Sequence, residues 1–128
     1  MKKILLNLSI LTISLMANDA IGVLELKDYT DRKIPIVLDK NTVITNSKID
    51  NNDLILILLV NKKFEYLNDK NLEKYKEIMS NNLKMASCQS IFKGDIKEEV
   101  SLNFKLKTID NELFNVKISK KDCKNIGK

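Results

Sequence analysis

The segment NFKLKTIDNELFNVKISKKDC, residues 103–123, constrains the architecture more than any other part of the chain. Val100, Leu102, Phe104 and Leu106 alternate with Ser101, Asn103, Lys105 and Lys107, and the chain then reverses at Ile109-Asp110-Asn111-Glu112. Beyond the reversal Phe114, Val116 and Ile118 alternate with Asn115, Lys117 and Ser119. Successive side chains of a strand point to opposite faces, so this pattern predicts a hairpin with one dry and one wet face. Such a pair suits an antiparallel sheet covered on a single side. The second strand runs out onto Cys123, and the only other cysteine, Cys88, lies well upstream.

Whether two such thiols join depends on the compartment, and the first twenty residues, MKKILLNLSILTISLMANDA, bear on that. Two lysines precede an apolar run from Ile4 to Ala17, interrupted by Asn7, Ser9, Thr12 and Ser14 and followed by Asn18 and Asp19. This is the layout of a secretory signal peptide, with cleavage expected after Ala17. A spanning helix needs roughly 20 consecutive, predominantly apolar residues, and the run is shorter and more polar than that. The sequence therefore predicts a signal peptide over residues 1–17 and a single domain over residues 18–128, periplasmic or secreted. In an oxidising compartment two cysteines and no others usually pair, which predicts a structural Cys88–Cys123 disulfide. Redox-active pairs sit much closer together in sequence.

The helical segment is DKNLEKYKEIMSNNLKMASC, residues 69–88, where Leu72, Tyr75, Met79, Leu83 and Ala86 recur at steps of three and four. Asn68 or Asp69 can cap its start, and Gly94 can end the turn after Cys88. Upstream, DLILILLV at residues 53–60 holds a continuous seven-residue apolar run preceded by the turn residues Asp50-Asn51-Asn52-Asp53, as an interior strand would be. Thr42 to Thr45 supplies its partner. Pro35 assigns Ile34–Leu38 to an edge strand or extended arm, and Ile21–Leu26 reads as a further edge strand. The expected fold class is α+β: an antiparallel sheet of four to six strands, in hairpin-helix-hairpin order, with one main helix on one face and one disulfide.

Chemistry is constrained chiefly by what is missing. There is no histidine, which removes Ser-His-Asp and Cys-His mechanisms and imidazole zinc sites. Three glycines, Gly22, Gly94 and Gly127, make no phosphate cradle. The carboxylate pairs Asp28/Asp31, Asp50/Asp53 and Glu98/Glu99 lie in polar stretches, and Asp50–Asp53 lacks the alternating oxygen ligands of a calcium loop. No catalytic residue, metal site or cofactor is expected.

The charge is uneven. Residues 18–60 carry 5 basic and 7 acidic groups, and residues 61–128 carry 15 and 10. Lys117, Lys120, Lys121, Lys124 and Lys128 crowd the C-terminus, an electrostatic docking candidate for an anionic surface. With Phe114 as the one aromatic nearby, the cluster lacks the stacking platform of a nucleic-acid binder.

The sequence IPIVLDKNTVI, a helix leading to Cys88, and a hairpin closed by Asp122-Cys123 together resemble small exported bacterial proteins of no assigned function. These share a Pro-x-x-Leu-Asp-x-x-Thr opening, here Pro35, Leu38, Asp39 and Thr42. The resemblance implies an envelope protein with a disulfide and carries no active site. The expectation is a non-catalytic module that binds another envelope or secreted protein through an edge strand or the wet face of its sheet. The alternative is a small secreted hydrolase or hydrolase inhibitor with a cleft between helix and sheet.

Overall fold

The computed structural model describes residues 20–64, 67–68 and 70–124; residues 1–19, which include the expected signal peptide 1–17, residues 65–66, Asp69 and residues 125–128 lie outside the described residues. The elements in chain order are α1 (Val23–Asp31), β1 (Ile36–Asp39), β2 (Thr42–Asp50), β3 (Asp53–Val60), α2 (Leu72–Ser90), β4 (Ser101–Lys107), β5 (Glu112–Ser119) and a 3-10 turn, Lys120–Cys123. The strands form one sheet in the order β1-β2-β3-β4-β5. The fold is α+β, with five strands and one disulfide.

Two features differ from expectation. The sheet is mixed, because β4 runs parallel to β3, from Asp53 beside Ser101 to Leu59 beside Lys107, while every other pair is antiparallel. The cause is α2. Its 19 residues, at about 1.5 Å each, return the chain along the length of the 8-residue β3, so β4 starts at the end where β3 started.

The second difference lies at Ile21–Leu26, where Ile21 and Gly22 are extended and only Ile21 forms a β-bridge, to Ile96. The Ile21 N–H donates to Asp95 O at 2.7 Å and its carbonyl accepts from Lys97 N at 2.9 Å. From Val23 the chain is helical, for reasons found in side chains the apolar pattern ignored. The Glu25 carboxylate accepts the Gly22 N–H at 2.9 Å, and Lys27–Asp31 and Asp28–Arg32 pair one turn apart. Leu26 and Thr30 are the buried face.

Both helices lie on one face of the sheet. Ser47, which shares its face with Leu56 across the β2–β3 ladder, donates its hydroxyl proton to Asp31 of α1. On α2, Tyr75 packs edge-on against Phe114 of β5 at 5.7 Å and against Phe64 at 5.3 Å. Leu54, Leu56, Leu58 and Val60 of β3 and Leu102, Phe104 and Leu106 of β4 fill the space beneath. Tyr75, Met79 and Leu83 are fully buried, as their spacing predicts. Asn68 shapes the turn into α2, its side-chain oxygen accepting the N–H groups of Lys70 and Asn71.

The β2–β3 reversal occurs where the sequence places it, with Asn51 at φ 56, a left-handed conformation that asparagine tolerates. β1 is an edge strand beginning one residue after Pro35. The disulfide Cys88–Cys123, with Cα atoms 5.4 Å apart, ties the last turn of α2 to the 3-10 turn after β5. The hairpin ends on a cysteine because that is where the chain passes the end of the helix.

Candidate functional site

The face of the sheet opposite the helices is a feature that the core leaves unexplained. Its composition follows from register. Leu59 lies opposite Val43, which lies opposite Val37; Ile57 lies opposite Asn46 and beside Lys105; Ile55 lies opposite Lys48 and beside Asn103. On the far side Lys105 faces Asn115 and Asn103 faces Lys117. A band of aliphatic side chains thus runs along the central strand and turns towards the β1 edge, with a basic flank over β4 and β5.

None of Val37, Val43, Ile55, Ile57 and Leu59 belongs to the hydrophobic core. The four on β2 and β3 are half-buried by their neighbours, and Val37 is 60% exposed. Among the described residues no helix or loop covers the band, and Lys48, Lys105 and Lys107 make no ion pair. Asn103 Oδ1, on the same face, is shielded from solvent without a hydrogen-bond partner. A sequence signal for this band exists: in residues 54–60 both alternating sets are apolar, which is the pattern of a strand covered on both faces.

The C-terminal lysines do not form one surface. Lys117 turns inward across β4, its Nζ 3.0 Å from Asp53 on β3. Lys120 donates to the Ile96 carbonyl at 3.0 Å and lies 3.8 Å from Glu98. Lys121 and Lys124 are exposed, and Lys128 lies outside the described residues.

The carboxylate pairs are likewise dispersed. Asp28 and Asp31 sit on α1 with Arg32 and Lys27. Burial raises the Asp31 pKa, but hydrogen bonds from Lys27 and Ser47 and the Lys27 charge outweigh it, so the group lies below its ordinary value. Asp50 and Asp53 flank the β2–β3 turn, and Glu98 and Glu99 are exposed in the loop before β4. No group of three or more histidine, cysteine, aspartate or glutamate side chains able to hold a metal occurs among the described residues. A shallow depression on the outer side of α2, lined by Lys70, Glu73, Lys74, Lys76, Glu77 and Ser80, carries mixed charge.

The residues behind the Pro-x-x-Leu-Asp-x-x-Thr resemblance have structural roles. Pro35 precedes β1, Leu38 is in the core, and Asp39 Oδ1 accepts the Asn41 N–H at 2.7 Å to close the β1–β2 turn. Thr42 is buried beside the Tyr75 hydroxyl in a geometry that falls short of a hydrogen bond, and both oxygens lack partners. Burial pushes the Tyr75 phenol well above its usual range; Thr42 opposes this and the Asp39 charge reinforces it.

These observations define a class, a disulfide-pinned α+β domain with helices on one side of a mixed sheet and an aliphatic, basic surface on the other. No helix among the described residues is long and apolar enough to cross a membrane. No protein-family model, curated protein or solved structure matches the chain.

Proposed function

We propose that this protein is an exported, non-catalytic binding module that engages another envelope or secreted protein through the uncovered face of its sheet. The observation that carries the reading is β3. From Leu54 on, its two alternating sets are both aliphatic, yet the helices cover only the set comprising Leu54, Leu56, Leu58 and Val60. Ile55, Ile57 and Leu59 span about 13 Å at the usual strand rise, the scale of a small contact patch. Lys48, Lys105 and Lys107 define the chemistry of the partner, which presents an apolar ridge bordered by carboxylates. The MKK-apolar-ANDA N-terminus and the paired cysteines support export. Contact of Lys121 and Lys124 with an anionic surface is a weaker, auxiliary attachment.

Incorporating a photocrosslinking residue at position 57 in cells, with position 76 on the outer face of α2 as control, tests the reading. A covalent adduct with another envelope protein is expected at 57 and not at 76, and it diminishes when Lys105 and Lys107 are both changed to Glu. The recovered protein is expected to have an intact mass lacking residues 1–17. Crosslinking at 57 solely to this chain's own first nineteen residues, or to nothing, sinks the partner reading; a full-length mass with free thiols sinks export.

A further inference from the structure

We infer that β5 pairs with β5 of a second copy, joining two sheets edge to edge about a two-fold axis. The inference goes beyond the proposed function and uses a different surface. β5 is an eight-residue edge strand bonded to β4 alone. Among the described residues, the backbone groups of 112–118 that face away from β4 have no partner. Long free edges are usually guarded by a proline, a lysine or brevity. The opposite edge has two of these, since β1 is four residues long and follows Pro35. β5 has neither, its pairing with β4 is irregular only at its start, between Glu112 and Phe114, and its lysine, Lys117, is drawn inward to Asp53.

Register singles out one self-pairing. Residues opposed across an antiparallel pair share a face, so a two-fold must pass beside a residue that opposes itself. Centred on Lys117, the pairing sets two lysines against each other, which is unfavourable. Centred on Asn115, it sets Lys117 of the partner subunit against the start of β5, where the pairing with β4 is irregular. Centred on Val116, it opposes Phe114 to Ile118 of the partner subunit on the core side and Asn115 to Lys117 of the partner subunit on the open side. The Val116 register matches apolar with apolar and leaves no like charges opposed. It also uses up both β5 edges, so the assembly closes as a dimer, and the two basic, aliphatic faces become one surface.

The test is sedimentation of the protein recovered from cells expressing the full chain, over a wide concentration range. Asn115 is exposed and opposes Lys117 of the partner subunit twice in the dimer, so it reads the register through charge. Wild-type protein is expected to dimerise in the micromolar range. Asn115→Lys should weaken the dimer about tenfold and Asn115→Glu should tighten it by a similar factor, since each change acts at two symmetry-related pairs. A wild-type monomer at millimolar concentration, open-ended polymers, or a shift in the same direction for both substitutions overturns the inference. Crosslinking from position 57 to an envelope protein stands or falls separately.

Discussion

Tyr75 shows how a single residue can be both well packed and poorly satisfied. Its ring lies between Phe64 and Phe114 at 5.3 and 5.7 Å, while its hydroxyl and that of Thr42 are buried without completing a hydrogen bond. Packing and polarity therefore separate in mutants. Tyr75→Phe keeps the ring and removes an unpaired oxygen, so its effect on urea denaturation should stay within about 1 kcal/mol of zero. Tyr75→Ala empties the aromatic cluster and should cost about 3 to 5 kcal/mol. The raised phenol pKa carries a pH dependence of definite sign. A folded-state pKa above the unfolded value favours the protonated, folded form; that contribution is complete below about pH 10, the ordinary tyrosine value, and is lost as pH rises further. Alkaline unfolding followed by circular dichroism should thus begin above that point in the wild type and be delayed in Tyr75→Phe. Unfolding curves that superimpose would remove the burial explanation.

At the scale of elements, the disulfide is the one long-range covalent link among the described residues, and its role can be measured. It closes a loop of sequence separation 35, which on the chain-entropy estimate stabilises the fold by roughly 3 to 4 kcal/mol. Replacing Cys88 and Cys123 together by Ser should lower the free energy of unfolding by that amount and free the 3-10 turn from α2, seen as faster amide exchange over Lys120–Cys123. Equal stability with and without the bridge would mean that α2 and β5 are held by packing alone.

The sequence made some elements plain and concealed others, for physical reasons. α2 and the β4–β5 hairpin were legible because each has one wet and one dry face, so period and burial coincide in residues such as Tyr75, Met79 and Leu83 or Leu102, Phe104 and Leu106. α1 was not, because a nine-residue helix buries only Leu26 and Thr30, and its opening Ile21-Gly22-Val23-Leu24 is as apolar as an edge strand. What makes it a helix is the Glu25 carboxylate on Gly22 and two i,i+4 ion pairs, signals that leave the hydrophobic pattern unmarked. The parallel β3–β4 pair is not legible, because the pattern specifies which way side chains face and not which way a strand runs; direction comes from the length of α2. The uncovered face is half-legible, since the apolar run 54–60 reads as a strand covered on both faces, whereas the helices cover one.

For the whole molecule, that mismatch between an apolar central strand and a one-sided shell of helices is the physical centre of the functional reading. A chain with a free choice would alternate polar residues on the uncovered side of β3, as β4 does with Asn103, Lys105 and Lys107, because an exposed aliphatic band invites non-specific association. Neighbouring residues of β3 should therefore respond in opposite ways. Leu56, fully buried among the helices, is a folding residue: Leu56→Ala should cost about 2 to 5 kcal/mol and reduce the yield of folded protein. Ile57, one position along and half-buried on the open side, should behave as a contact residue. Ile57→Lys extends the polar pattern already present at Lys105, so denaturation should show a loss of less than about 1 kcal/mol, in the range of surface substitutions, together with higher solubility. The adduct trapped from a neighbouring photocrosslinking position, 59, should disappear in the same variant. If Ile57→Lys instead unfolds the protein as readily as Leu56→Ala, the second face of β3 is core covered by the chain's own remaining residues, and the partner must be sought elsewhere.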